Sequence, residues 1–485
     1  MNCRTSGATA VLVGLALSVS ACSTNSSTVS PSSSGTVNPS SSGAVSPSSS
    51  GASTPTTSSS AGDVGSGSVK GDVTYWLWQA NQQPAYQACA DAFHTANPGA
   101  NVKIEQYGWS DYWDKLTTSL ASGSGPDVFT DHLAKYADFV AKKQILPLDD
   151  FVNKDNTPTN IYQPGLADLW VHSDGKRYGL PKDFDTVAYF YNAEMLKSAG
   201  ISKDDASKWT WNPDDGGTLE KAIAHLTIDK NGKRGDEAGF DKNNVKTYGL
   251  SAGEGSGGPY GQQFWSAYAA STGWQFTDKN PWGSHYNYDD PRFQKTIGWY
   301  RSLIAKGYMN SLASTVGSDP VAQFGAGKFA MQMNGDWASD GYFALKGVKV
   351  DIAPTPIGPT GKRASMYNGL SDAINATTPN KDAAWAWVKF LASPDCQNMV
   401  GDKGVVFPAI PSATEKAQAA FKAHGVDVDG FLVHVKDKST FLFPITDHAA
   451  DVNTMMSAQM DAILGFKADP SSLTQANEKV NALFK

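Results

Sequence analysis

Beyond its leader this 485-residue chain has no apolar run approaching 18 residues, so nothing after the leader is expected to cross a bilayer as a helix. It has no surplus of positive charge: 40 Lys and Arg stand against 47 Asp and Glu, a formal balance of −7. That sign argues against a nucleic-acid partner. No HExxH and no CxxC pair occurs, which leaves a catalytic or structural zinc without support. Cysteine is scarce, with four in all, and the folded part shows no long-period repeat.

What is present begins with a leader. Arg4 supplies a positive n-region, and Ala8 to Ala16 form an apolar stretch too short to span a membrane. Val19-Ser20-Ala21-Cys22 then closes the apolar run with small residues and a cysteine, and serine and threonine follow at once. This resembles the lipobox of bacterial lipoproteins; the alternative is an ordinary secretory signal with a chance cysteine. The resemblance implies that residues 1–21 are removed and that Cys22 is acylated. Two or more acyl chains hold a protein on a membrane where one holds it only marginally. The unit PSSSGxVx then recurs every eight residues from Pro31, Pro39 and, less perfectly, Pro47. Such a segment buries no apolar area to offset the entropy of ordering, so residues 22–70 are expected to form a disordered tether. Roughly 45 flexible residues give an end-to-end distance of about 35–40 Å. That length suits a bacterium with a thick wall outside a single membrane.

The remaining body, residues 71–485, is too long for one ordinary core, and two lobes are expected. Fourteen Trp and eighteen Tyr exceed what a core of this size needs, and the excess fits a site that stacks flat ligands. Cys3 leaves with the leader and Cys22 carries lipid, so Cys89 and Cys396 remain. In an oxidising compartment a disulfide between them and two buried thiols both stand open.

"DVTYWLW" (72–78) reads as a first strand, "PAYQACADAFHTANPG" as a helix stopping at Asn97-Pro98-Gly99, and "NVKIEQYG" as a second strand. "SDYWDKLTTSLASG" reads as a second helix with Ser110 as its N-cap, and "PDVFTD" as a third strand. "VAYFYN" is a further strand and "AAWAWVKFLASPDCQNMV" one long amphipathic helix. Alternating strands and helices with short connections predict a parallel sheet covered by helices, an α/β fold. Ligands of such sheets sit beyond the carboxyl ends of strands, which singles out 79–82, 107–109 and 130–132.

The body resembles the extracellular solute-binding proteins of carbohydrate-uptake ABC transporters, the group that includes maltose-binding protein. "SGSGPDVF", "AKKQILPLDDF", "GKRYGLPKDFDTVAYFYNAEMLKSAGI", "MQMNGDWASDG", "IAPTPIGPTGKRASMYNGLSDAINATTPNKDAAWAWVKFLASP" and "GVVFPAIP" follow in family order. Lys182 is unusually polar for its place in the third of these, a departure taken as minor. The resemblance implies a two-lobe periplasmic-binding-protein-like fold with hinge crossovers and a central cleft. Crossings are then expected near Asp183–Val187, near Ala353–Pro356 and after Phe407-Pro408. Lobe 1 would comprise 71–182 with 355–407, and lobe 2 would comprise 188–352 with 409–485. Cys89 and Cys396 then fall in one lobe, which favours the disulfide.

Sugars show apolar C–H faces and a rim of hydroxyls, so a site for them takes aromatic platforms together with carboxylates and amides. By resemblance Asp183 and Asp185 flank the first crossing, Trp337 is a stacking ring of the second lobe with Asp336 and Asn334 beside it, and Trp265 is another platform. In the first lobe, strand ends offer Gln79, Asn81, Trp109, Tyr112, Asp131 and His132. Asn368, Gly369 and Ser371 approach the cleft by resemblance, and Phe443 completes the set.

Other signals are weaker. Gly249-Leu250-Ser251-Ala252-Gly253 matches GxSxG with Asp447-His448 downstream, but "EGSGGPYG" forbids the tight helix that a nucleophile elbow needs. The glycines at 253, 255 and 258 fit GxGxxG without the required helix. "DKNGKRGDEAGFD" places Asp229 and Asn231 at calcium-loop slots, but Lys233 and Phe240 occupy slots that need oxygen ligands. Adjacent acid pairs such as Asp149-Asp150 sit in turns rather than opposing one another as a glycosidase requires.

The expectation is therefore a lipid-anchored, monomeric receptor on the extracellular face of the cell membrane. It would capture a mono- or oligosaccharide and deliver it to ABC permease subunits, with no catalytic residue, cofactor or metal. A surface-anchored glycoside-active enzyme, a same-fold receptor for a polyol, phosphodiester or peptide, and a passive adhesion module are the alternatives.

Overall fold

The protein was analysed as a computed structural model that describes residues 69–253, 261–315 and 319–485. The leader, Cys22, the PSSSG repeats and Gly255 and Gly258 lie outside the described residues.

Aromatic and β-branched residues are concentrated in β1, β3 and β5, and period-two alternation places side chains on two faces of each sheet. The first sheet contains β1 (Gly71–Leu77), β2 (Ala100–Gln106), β3 (Val128–His132) and β4 (Pro181–Asp185). The second contains β5 (Val187–Asn192), β6 (Ile228–Asp229), β7 (Val245–Leu250), β8 (Phe329–Gly335) and β9 (Val350–Ala353). The chain then returns to the first sheet through β10 (Ser365–Ile374), β11 (Phe407–Pro408) and β12 (Thr440–Leu442). The orders are β11-β4-β10-β3-β1-β2, with β12 on β10, and β6-β7-β8-β5-β9.

The parallel expectation holds for β1, β2 and β3. It fails for β10, which runs antiparallel to both β3 and β4. A strand returning from the other lobe enters its sheet from the opposite end, and so reverses direction. β5 shows why a central strand reads as a continuous apolar run. Val187, Tyr189 and Tyr191 face one core while Ala188 and Phe190 face another.

Two helix expectations need correction. The second helix starts at Trp109, and Gly108 in extended conformation is its N-cap, so Ser110 lies inside the first turn. The long C-terminal helix is two, Lys381–Leu391 and Pro394–Lys403. Pro394 has no N–H to continue the first helix and suits the first turn of the second. The helix Gln83–Ala96 buries Ala85, Tyr86, Cys89, Ala90 and Phe93. Cys89 is bridged to Cys396 of Pro394–Lys403, with Cα atoms 5.2 Å apart.

The chain crosses from β4 to β5 through Thr186 alone. The second passage is longer than expected at 353–356. Ile357 still exchanges backbone bonds with Trp209 and Trp211 of the second lobe, and the first sheet resumes only at Ser365. The third also comes later than 409. Helix Pro411–Ala423 packs on Pro394–Lys403, where a Cβ on Gly401 would fall 2.5 Å from the Ala413 carbonyl oxygen. Helix Asp429–Lys436 then lies on β9, with Gly430 against Ile352. The boundary differs from the sequence reading because both segments are amphipathic helices, and a helix pattern does not say which sheet it covers.

Candidate functional site

The carboxyl ends of β1 and β3, the β4–β5 crossing and the end of β8 meet along the line where the two sheets face each other. Thr186 is fixed there by three bonds. Its N–H donates to Asp336 Oδ1 (3.0 Å), its carbonyl accepts the Asp336 N–H (3.2 Å), and its hydroxyl donates to the Phe431 carbonyl (3.0 Å). Ser365, opening the return strand, accepts the Val187 N–H and donates to the Val187 carbonyl, both at 2.9 Å. Two of the crossings are thus tied together by one hydroxyl.

Between the lobes lies a narrow recess of about 40 Å³. The first lobe lines it with Trp109, His132 and Lys135, and the second with Gln262, Phe443 and Asn453. Trp109 meets Trp78 edge-on at 5.2 Å and His132 at 6.0 Å, so a cluster of rings backs this wall. Phe443 is supported edge-on by Phe276 at 5.2 Å. The lobes also touch through hydrogen bonds from Gln79 Nε2 to the Trp337 carbonyl (3.2 Å) and from Asn81 Nδ2 to Asp340 Oδ2 (3.0 Å).

Four expected carboxylates are buried. Asp131 Oδ1 accepts the His132 N–H (2.8 Å), Asp183 Oδ1 the Leu370 N–H (3.2 Å), and Asp185 Oδ2 the Asn368 amide (3.2 Å). The fourth is Asp336, on the crossing. Burial is the main force pushing all four well above the ordinary carboxylate range. Repulsion adds to it, from Asp185 on Asp183 and from Asp336 on Asp185. Burial, with Lys135 nearby, drives His132 down to about 3, so its ring is neutral.

The structure thus brings Gln79, Asn81, Trp109, His132, Asp185, Asn368 and Phe443 into one neighbourhood. Trp265 is different. It is fully buried against Phe293 (5.1 Å), Phe276 (5.8 Å) and Trp274 (6.4 Å), which makes it a core ring of the second lobe. Trp337 is half-buried, and its ring lies over Gly335, where a Cβ would fall 1.9 Å from it. Tyr112 is structural, its hydroxyl donating to the Thr130 carbonyl (2.5 Å). Ser371 points at Gly179, where a Cβ would come within 2.3 Å of its oxygen.

Sequence reasoning missed Gln262, Lys135 and Asn453, and it misjudged Lys182. That ammonium is buried beneath the site, 3.1 Å from Asp372, 2.9 Å from Thr130 Oγ1, bonded to the Tyr75 hydroxyl and 3.9 Å over the Tyr86 ring. A buried cation without this set would cost several kcal/mol. The nucleophile-elbow residues are dispersed: Ser251 Oγ accepts the Gly253 N–H, Asp447 faces His172, and His448 lies edge-on to Phe484. Asp229 closes a turn by accepting the N–H groups of Asn231, Lys233 and Asp241. Among the described residues no acidic, histidine or cysteine cluster is placed to hold a metal.

The sequence pattern of a family described as bacterial extracellular solute-binding protein matches residues 79–398. A protein of Brucella abortus named as a binding protein is 24% identical over 435 residues, covering 88% of this chain and 95% of its own. A maltooligosaccharide ABC transporter solute-binding lipoprotein of Streptococcus pneumoniae is 25% identical over 318 residues, 63% of this chain and 64% of its own. An ABC substrate-binding protein of Listeria monocytogenes, solved with cycloalternan, shares the fold. Its TM-score is 0.73 at 19% identity, over 85% of this chain and 99% of that one.

Proposed function

We propose that this chain, which belongs to the family of bacterial extracellular solute-binding proteins, captures a carbohydrate between its lobes and delivers it to the permease of an ABC importer. One observation carries the reading. The recess is lined by the rings of Trp109 and Phe443 from opposite lobes, with His132, Gln262 and Asn453 among them. Rings take the C–H face of a sugar, each worth about 0.5–1.5 kcal/mol beyond area burial by analogy with aromatic pairs. Amides both donate and accept, matching hydroxyls that do the same. The pneumococcal relative, named for maltooligosaccharide, supports the same class. Ligand stabilises the closed form by touching both walls at once, and the permease reads that form. Acylated Cys22 and the serine-rich segment would hold the body at the outer membrane face as a monomer, and no covalent step is assigned to it.

A thermal-shift screen against mono- and oligosaccharides tests this. A saturable rise in melting temperature with one sugar class is expected, because ligand bound only to folded protein stabilises it. A flat response to every sugar, with a shift by a phosphodiester or peptide, would replace the reading. Release of cleavage products would make the protein an enzyme.

A further inference from the structure

Three N–H groups converge on the two ring nitrogens of His132. The Ala134 backbone N–H meets Nδ1 at 3.0 Å, while Gln262 Nε2 and Asn368 Nδ2 stand 3.3 and 3.0 Å from Nε2. A neutral imidazole has one nitrogen that accepts and one that donates. The backbone N–H of Ala134 cannot be turned round, so Nδ1 accepts and Nε2 carries the hydrogen. A side-chain amide can turn by half a revolution, exchanging nitrogen and oxygen. Asn368 must then show Oδ1 to the ring, since two donors do not share 3.0 Å.

That turn has a second effect. The Asn368 atom 3.2 Å from Asp185 Oδ2 becomes an oxygen, and two oxygens hold that separation as a bond only with a hydrogen between them. The Asn368 Oδ1 carries no hydrogen, and the hydrogen on His132 Nε2 is already directed at that oxygen, so neither can supply it. We propose that Asp185 is a neutral acid in the closed form, donating its proton to Asn368, so that closure of the cleft takes up one proton. The inference rests on this cleft being the capture site, since Gln262 on the second lobe withdraws when the lobes part and exposes the group.

The surroundings agree. Asp185 is faced by Asn368 and Tyr367 of β10, His132 of β3, Asp336 after β8, Asp183 of its own strand and Tyr86 of helix Gln83–Ala96. Lys182, on the same strand, is bound to Asp372 at 3.1 Å. Burial first, and the Asp336 charge second, push Asp185 upward. The sign follows. Below the ordinary carboxylate range both forms hold the proton and closure is insensitive to pH. As pH rises above that range the open form loses its proton, and the closed fraction falls by up to about tenfold per pH unit until the closed form titrates as well.

Two measurements on the ligand-free full chain test this, so a failure here leaves the sugar reading untouched, and a failed sugar screen leaves this one standing. Infrared spectra at neutral pH should show a protonated-carboxyl carbonyl band that is diminished in D185N. Small-angle scattering from about pH 8 to about pH 5 should show the wild type becoming more compact, while D185N, whose amide donates at every pH, stays constant. If D185N does not fold, D185A removes the titrating group and should flatten the response in the same way. A wild type with no change in compactness, an unaltered carbonyl band in D185N, or a variant that follows the wild-type pH curve would overturn the proposal.

Discussion

The two walls of the cleft are made in different ways. On the first-lobe wall, Gln79, His132 and Asp185 stand at the ends of β1, β3 and β4, held by backbone bonds of a seven-stranded sheet. Beneath them Lys182, Asp372, Tyr75 and Thr130 form a buried polar network. On the second-lobe wall, Gln262, Phe443 and Asn453 come from loops and from the helix Ala449–Leu464, over a core of rings around Trp265. A sheet edge fixes direction, so it suits polar groups whose hydrogen bonds need aim. Loops and helix faces over an apolar core supply shape.

The strongest way to break that contrast is to attack what lies under each wall. Lys182→Met should cost about 3–5 kcal/mol in urea unfolding, because it leaves the Asp372 carboxylate buried without its cation. Trp265→Ala should cost a similar ~3–5 kcal/mol through the cavity it opens. The first should respond to substitution of Asp372 and the second should not. A double variant of Lys182 and Asp372 no less stable than Lys182→Met alone would confirm a pairwise network. Equal and independent losses would show that both walls rest on packing.

Next in size is the disulfide, confined to the first lobe. Replacing Cys89 and Cys396 by serine should cost about 2–4 kcal/mol, since the bridge closes a loop of 307 residues in the unfolded chain. A thiol assay on denatured, unreduced protein should find no free sulfhydryl at either position. Two reactive thiols would reject the bridge.

Smaller effects compare the walls directly. Trp109→Ala and Phe443→Ala should each weaken sugar binding by about 0.5–1.5 kcal/mol in calorimetry with the fold retained. A loss on one side only would place the ligand against a single wall. Of similar size is Asn81→Ala, which removes the bond to Asp340 across the mouth. It should lower affinity by about 0.5–1.5 kcal/mol through faster release, because that bond exists only when the lobes meet.

The first wall was readable from sequence for a physical reason: an open α/β sheet places ligands beyond its strand ends, and strand ends are marked by where the apolar run stops. Gln79, Trp109 and His132 follow that rule. The second wall has no such marker. Trp265 opens a helix, and a ring at that place looks the same in sequence whether it faces a ligand or, as here, Phe293. Gln262 sits in a stretch without period, and Asn453 is one polar residue on an otherwise ordinary helix. Lys182 misled for a related reason: its partner Asp372 lies 190 residues away, and nothing local says that a cation in a strand has found its anion. The fold class, strands β1, β2, β3 and β5 and the disulfide pair were legible. The antiparallel return of β10 and the late third crossing were not, because both depend on which lobe a segment covers.

Thr186 carries one more implication. Of the three links between the halves it is the shortest, a single residue held on three sides, while the other two pass through longer stretches of chain. Relative movement is thereby confined to a swing about that residue, with sliding denied, and the mouth guarded by Asn81 travels much farther than the floor at Asp185. A guest therefore enters and leaves at the rim, and the innermost contacts are the last to be disturbed.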